Sequence, residues 1–349
     1  MALTGKRILI TGGAGFVGHH LAQALSDDGT DEVTLLDNLS RGARDDDLAA
    51  LTRRPNVNLA VGDLRDAAVW DQLEGGYDEV YHLAAVIGVR NVIERPAEVI
   101  RTNALSTLHL LDWFVDGGGR KVLFSSTSEA YAWTQHFHEL PVPTPEDLPL
   151  SLTDLSDPRS SYAGSKIFGE LAVTQSCRTS GKPFVIVRYH NVYGPRMGKE
   201  HVIPELFLRA LSGQNPLTVY SVEHRRAFCY VSDAVAATVA AMREPAAEGL
   251  TVNVGNDSEE ITIGELAERL LRCAGIQASI APREAASDPV KRRCPDLTRA
   301  RTLLGYEPNV MLDDGLERTL AWYAEKGGSE RQSPEPVAGT TPMTFRPDA

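Results

Sequence analysis

The chain is poor in cysteine, carries no surplus of basic charge and has no long apolar run, and each shortage removes a class of protein. Its 349 residues include four cysteines, Cys177, Cys229, Cys273 and Cys294, far apart and with no Cys-x-x-Cys pair. That spacing builds neither a zinc site nor a disulfide framework, so the four read as reduced thiols of a cytoplasmic protein. Lys and Arg number 35 against 47 acidic residues, a formal net charge of -12. A polyanion surface needs clustered Lys and Arg, which excludes nucleic acid as a partner. No stretch reaches the ~18 apolar residues of a membrane span, and an apolar strand begins at Arg7, which leaves no room for a secretory signal. A soluble protein without a membrane partner is expected. His136 and His138 lack a carboxylate or Cys cluster at ligand spacing, so no metal is expected. From Gly327 to Ala349 the chain is rich in Gly, Ser, Pro and Thr, too little apolar surface to offset ordering entropy, and a loose tail is expected over 327–349.

What is present is an alternation. Short apolar runs at Arg7–Thr11, Glu32–Asp37, Val57–Val61, Glu79–Leu83, Lys121–Ser125 and Phe184–Arg188 are separated by helical patterns, notably Gly15–Asp27, Ala97–Val115 and Ser160–Ser180. Repeated strand-helix-strand units mean a parallel sheet with crossover helices, an α/β doubly wound (Rossmann) fold. After Gly194 the pattern breaks at Pro195, Pro204, Pro216, Pro282, Pro289, Pro295 and Pro308. We therefore expect a dinucleotide-binding domain over 1–190, with segments near 225–255 returning to it, and a smaller C-terminal substrate-binding lobe made mainly from 191–325.

The first strand runs into Thr11-Gly-Gly-Ala-Gly-Phe-Val-Gly18, which places Gly12, Gly15 and Gly18 three apart at a strand-to-helix junction. Glycines there allow a tight turn and close approach of backbone N–H groups to a pyrophosphate, whose charge the helix N-terminus favours. Asp37-Asn38 ends the next strand, where a carboxylate holds the adenosine ribose hydroxyls and repels a 2′-phosphate, so NAD is expected over NADP, although Arg41 would tolerate a phosphate. Asp63, at the end of the third strand, is either an adenine contact or an ordinary turn Asp.

Tyr162-Ala-Gly-Ser-Lys166 puts a phenol and an ammonium four residues apart, on one helix face. Lowering a tyrosine from its usual pKa of ~10 to ~7 takes about 4 kcal/mol of preference for the phenolate, which a fixed ammonium beside a cationic nicotinamide supplies. Ser125-Ser-Thr-Ser-Glu-Ala-Tyr131 follows a strong strand, so its hydroxyls and carboxylate fall at the end of the sheet where ligands gather. Thr127 is thereby placed to hydrogen-bond a reacting hydroxyl opposite Tyr162.

With these stretches, His82-Leu-Ala-Ala85, Asn103, Thr127-Ser-Glu129, Arg188-Tyr-His-Asn-Val-Tyr-Gly-Pro-Arg196, Arg226-Ala-Phe-Cys-Tyr-Val-Ser-Asp233 and Leu304-Gly-Tyr-Glu-Pro308, the chain resembles the extended short-chain dehydrogenase/reductase family, in its nucleotide-sugar epimerase, dehydratase and decarboxylase branch. The resemblance implies that Phe16, Val17, Leu64, Leu83, Ala84, Ala85, Asn103 and Ser125 join the NAD site. It assigns Val86, Gly88, Asn191, Arg196, His201, Val202 and Arg226 to a nucleotide-diphosphate sugar, with Arg226 on the diphosphate, and it implies a homodimer. The implied reaction oxidises the sugar C4 hydroxyl to a 4-keto sugar, with Tyr162, Lys166, Thr127, Glu129 and Ser128 as the catalytic residues.

The fate of that keto sugar separates 4-epimerase, decarboxylase and 4,6-dehydratase. The 4-epimerase reading comes first because it needs no further acid or base. Glu129 and the segment Asp288-Pro-Val-Lys-Arg-Arg-Cys-Pro-Asp296 resemble decarboxylases. Ala132-Trp133 and the insertion Trp133–Pro149 depart from them and imply a remodelled pocket wall. A non-catalytic dinucleotide sensor is the alternative of another class, free to lose Tyr162, Lys166 or Thr127, all of which are present.

Overall fold

The computed structural model describes residues 5–41, 45–134, 139–284 and 290–326. His136, His138, Asp288, Pro289 and the 327–349 tail lie outside the described residues.

Six parallel strands, β1 (Arg7–Thr11), β2 (Glu32–Asp37), β3 (Val57–Val61), β4 (Tyr77–His82), β5 (Gly119–Thr127) and β6 (Phe184–Tyr189), form the main sheet, and Thr251–Val254 joins it at the edge beside β6. From that edge the order is Thr251–Val254, β6, β5, β4, β1, β2, β3. Strand order reverses at β1/β4, which opens a crevice beyond their C-terminal ends, the ligand position in open α/β sheets.

The runs read as strands because they are buried on both faces. Ile8, Leu9 and Ile10 are each 0% exposed, so the run is continuously apolar rather than alternating. Ile8 and Ile10 pack with Leu21, Val235 and Ala237 in one core. Those residues come from α1 (Phe16–Ser26) and the helix Val231–Arg243. Leu9 and Val80 face a second core containing Leu110, Leu111, Val173 and Cys177, from the helices Pro96–Trp113 and Ser160–Ser180. The latter helix has the expected bounds. It ends at Gly181, whose φ of +70° provides the left-handed cap.

Several expected bounds shift by one to a few residues, and two of them bear on the site. β4 ends at His82 rather than Leu83, and β5 continues to Thr127, so Ser125, Ser126 and Thr127 are the last residues of a buried strand rather than a loop. The remaining chain makes short elements above the crevice. Arg225–Ala227 lies between the antiparallel Glu260–Thr262 and the parallel Arg292–Arg293, and a Thr262/Glu265 capping box starts the helix Ile263–Cys273.

Candidate active site

The glycine turn is shaped by close backbone approach. Gly12 has φ +71°, and a Cβ there would stand 2.8 Å from the Ala84 backbone; on Gly18 it would stand 2.2 Å from the Gly12 carbonyl oxygen. Gly15 is the N-cap of α1 and has no side chain to fold back on the first turn, so the N–H groups of Phe16, Val17 and Gly18 face out of the helix end. Asp37, at the end of β2, accepts from Ala14 N (3.1 Å) and Leu39 N (2.8 Å). Burial pushes its carboxyl up, and those two N–H groups pull against the shift. Asn38 donates to Asp63 (3.3 Å), which is also gripped by Arg65 through Nε (2.9 Å) and Nη2 (2.6 Å). Leu64 is buried, and its carbonyl takes the Trp70 indole N–H. An unblocked helix N-terminus with a carboxylate one strand away fits a dinucleotide with free ribose hydroxyls.

Leu83, Ala84 and Ala85 leave β4 beside this turn, with Leu83 N donating to Thr11 O (3.1 Å). Asn103 was expected at the cofactor, but its amide is spent elsewhere. Oδ1 accepts from Val86 N (2.7 Å), and Nδ2 donates to Val86 O (3.2 Å) and Ser165 Oγ (3.0 Å). It therefore ties the loop after β4 to the helix of Tyr162 and Lys166. His82, buried between Thr11 and Thr107, is held down to about 3 by burial and the Lys166 charge, so its ring is neutral.

Lys166 is 4% exposed. Its ammonium donates to the carbonyl of Ser125 (2.7 Å) and stands 5.0 Å over the Phe124 ring. Burial pulls its pKa down to about 7, with Glu170, one turn on, opposing the shift. Ser125 Oγ in turn holds the His82 carbonyl. The ammonium was expected to depress Tyr162; instead it is directed at the end of β5, and the phenol is pushed well above its ordinary value by burial and then by the Glu129 charge, against a hydrogen bond from Thr127 and the Arg41 charge. The protein's own groups thus hold Tyr162 as a phenol, because a buried phenolate beside a carboxylate is doubly disfavoured.

Thr127 Oγ1 also accepts from Glu129 N (3.2 Å), which starts the turn Ser128–Tyr131, with Ser128 buried. The Glu129 carboxylate takes Arg293 Nη1 at 2.6 Å. Burial works to raise its pKa, but Arg293, Arg226 and Arg159 outweigh it and hold the carboxyl below its usual range. Arg293 and Arg226 are register partners on adjacent parallel strands. Sequence reasoning singled out neither Arg293 nor Arg159. Arg293 lay in the basic segment already noticed, but it is 164 residues from Glu129, and no spacing signals such a pair.

The other expected ligand residues make contacts of their own within the protein. Arg226 caps the carbonyls of Val290 (2.8 Å) and Arg225 (2.9 Å). Asn191, with φ +41°, donates to Ala227 O (2.9 Å). His201 caps the helix Val202–Leu211 and is held down to about 4 by burial and the Arg41 charge. Gly88, with φ +104°, starts the helix Val89–Glu94. Arg196, with a side chain 5% exposed, ion-pairs with Asp45 and donates to the Ala14 carbonyl (3.2 Å) in the glycine turn. In the insertion, Trp133 packs with Ala132, Ala163, Val290 and Leu152, one residue from Tyr162.

Residues 8–255 match the profile of the NAD dependent epimerase/dehydratase family. A UDP-N-acetyl-alpha-D-glucosaminuronate decarboxylase from Bacillus cytotoxicus is 34% identical, covering 92% of this chain and 98% of that protein. Among solved structures, a UDP-galactose 4-epimerase is 30% identical with TM-score 0.77, covering 92% of this chain and 99% of the other. A dTDP-glucose 4,6-dehydratase from Streptomyces venezuelae, solved with NAD, is 30% identical with TM-score 0.81, covering 92% and 98%.

Proposed function

The chain belongs to the NAD-dependent epimerase/dehydratase family, and from that premise we propose that it oxidises C4 of a nucleotide-diphosphate-linked hexuronic acid and then releases the sugar carboxyl as carbon dioxide. The observation that carries this reading is the Glu129–Arg293 pair at 2.6 Å with Arg226 and Arg159 acting on the same carboxylate. Three guanidinium groups around one carboxylate leave positive charge for the anionic ends of a substrate, a diphosphate and a carboxylate. The decarboxylase relative supports the same choice.

Gly12, Gly15, Phe16, Val17, Gly18, Asp37 and Leu83–Ala85 hold the dinucleotide in this reading. Bound NAD supplies the hydride acceptor, and its cationic ring supplies the charge that favours a Tyr162 phenolate. Tyr162 then takes the proton of the C4 hydroxyl while Thr127 holds that oxygen. A ketone at C4 makes the C6 carboxylate a β-keto acid, which loses carbon dioxide and leaves an enolate that takes a proton at C5; return of the hydride to C4 and of the proton from Tyr162 to its oxygen then leaves a C4 alcohol lighter by carbon dioxide alone. At rest Glu129 is ionised and a poor acid. A substrate carboxylate competing for Arg293 removes the charge that holds Glu129 down and adds a like charge beside it, which raises it toward a proton donor. The lobe of 191–325 receives the nucleotide through Asn191, His201, Val202 and Arg226. Arg196 serves as a tie between Asp45 and the glycine turn. Exposed Ile100, Phe168 and Leu171 on the Pro96–Trp113 and Ser160–Ser180 helices support pairing of two copies.

The second reading is the 4-epimerase, favoured by the likeness to the UDP-galactose 4-epimerase structure and needing only Tyr162 and Thr127. Incubation with NAD and UDP-glucuronate, UDP-N-acetylglucosaminuronate, UDP-glucose or dTDP-glucose, followed by chromatographic separation of isomers and mass spectrometry of each peak, separates the two. The expected product is lighter by carbon dioxide, from an acid sugar only. An isomer of unchanged mass overturns decarboxylation in favour of epimerisation. With the decarboxylated substrate, Glu129→Gln lowers turnover by about 10²-fold, the scale of general acid catalysis.

A further inference from the structure

Arg41 carries neither proton nor hydride in the chemistry above, although its charge acts on Tyr162 and His201, and its side chain runs from the end of β2 to the loop after β4. It follows β2 by four residues, after turns in which Asp37 and Asn38 accept the N–H groups of Leu39 and Ser40. Its guanidinium donates through Nη1 to Ile87 O at 2.8 Å, in the loop after β4. β1 lies between β2 and β4, and neighbouring strands stand ~4.8 Å apart, so the side chain spans about 10 Å across the end of β1, where the glycine turn begins.

The far wall is equally close. Arg41 Nη2 lies 3.4 Å from where a Cβ on Gly198 would stand and 3.8 Å from the same point on Gly88. The loop carrying Gly198 is anchored over the glycine turn, because Arg196 holds the Ala14 carbonyl and Gly194 approaches the Phe16 ring. Two glycines thus make room for the guanidinium, one of them in a loop that is itself tied to Ala14 and Phe16 at the glycine turn. At rest the guanidinium has the Ile87 carbonyl and the field of the Glu200 carboxylate, whose Oε2 stands 3.5 Å from the same Gly88 point, whereas two phosphates offer bidentate, charge-assisted bonds.

We propose that Arg41 is a strap for the dinucleotide pyrophosphate: with the cofactor in the crevice, its guanidinium leaves the Ile87 carbonyl for the phosphate oxygens and slows cofactor release. A reaction that removes a hydride and returns it ends with the cofactor unchanged, so release is unnecessary and slow release keeps the enzyme loaded. The inference rests on the family's dinucleotide site and not on the fate of the sugar, and every arm of its test omits substrate turnover.

The test is stopped-flow displacement of NADH by excess NAD from wild type, Arg41→Ala and Arg41→Lys, without any sugar nucleotide. Arg41→Ala should release NADH about tenfold faster or more, the size of one lost charge-assisted hydrogen bond, with Arg41→Lys in between. It should also weaken ADP-ribose while leaving adenosine affinity within about twofold, a change too small to reflect a lost contact. Arg41→Lys, which keeps the charge and most of the stem, guards against a folding defect. Unchanged NADH release in Arg41→Ala overturns the strap. So do equal losses for adenosine and ADP-ribose, which put Arg41 on the nucleoside, and a loss of UDP affinity with NADH release unaltered, which puts it on the substrate.

Discussion

Breaking the buried pair behind the active site is expected to cost far more than removing it whole. Arg188 clasps Glu170 through Nε (2.8 Å) and Nη2 (2.6 Å), with side chains 5% and 9% exposed. Its Nη1 reaches Tyr131 Oη (2.7 Å) and Glu146 O (3.0 Å), and Glu170 also takes the Ser126 hydroxyl. Arg188→Met leaves a buried carboxylate with only a hydroxyl, and Glu170→Met leaves a buried guanidinium with neutral oxygens. Each should cost about 3–5 kcal/mol, as for other buried pairs stripped of one partner, out of a total stability of about 5–15 kcal/mol. The double variant should be within about 2 kcal/mol of wild type, because both desolvation penalties go with the pair, and the cycle should show a coupling of about 4 kcal/mol or more. Urea unfolding of the four proteins at one pH measures this. Single variants that each cost under about 1 kcal/mol and add in the double would refute the reasoning, since additivity means the charges do not see each other. The network also joins the end of β5, at Ser126, to the helix of Tyr162 and Lys166. A double variant that keeps stability but loses kcat at unchanged KM would mark the pair as a positioning device.

Tyr162→Phe should abolish turnover and leave NADH affinity within a few-fold, read by fluorescence titration; retained turnover removes Tyr162 from proton transfer. Lys166 ties stability to pH: the ammonium titrates near 10.5 unfolded and about 7 folded, so between those values the unfolded chain binds more protons and this group's contribution rises with pH. Urea stability of the NAD-free protein at pH 7 and pH 9 should show a rise that Lys166→Met flattens. Gly18→Ala, with a Cβ 2.2 Å from the Gly12 carbonyl oxygen, should lower the melting temperature and abolish NADH binding. Gly15→Ala, with its nearest contact at 3.1 Å, should keep the fold and weaken NADH alone.

Much of this molecule was legible from the chain because its strongest signals are local. A strand buried on both faces must be apolar without alternation, so Arg7–Thr11 and Glu32–Asp37 appear with their observed bounds. A helix covering the sheet carries a 3.6-residue period, so Ser160–Ser180 does too. Gly12, Gly15 and Gly18 are set by a turn a few residues long, and Tyr162 and Lys166 by one helical turn. What escaped was whatever depends on partners remote in the chain. Asn103 bonds Val86 and Ser165, Arg196 pairs with Asp45, Lys166 bonds the Ser125 carbonyl, and Glu129 meets Arg293 across 164 residues. The sequence by itself determined the doubly wound sheet and the chemical kinds of group at the site, since these follow from burial periodicity and short-range backbone geometry, and its motifs carried the resemblance to the family. Only the tertiary structure decided which charge stands opposite which, because strand order brings together residues that no periodicity relates, and the protonation of Tyr162, Lys166 and Glu129 follows from those neighbours and from the water they exclude.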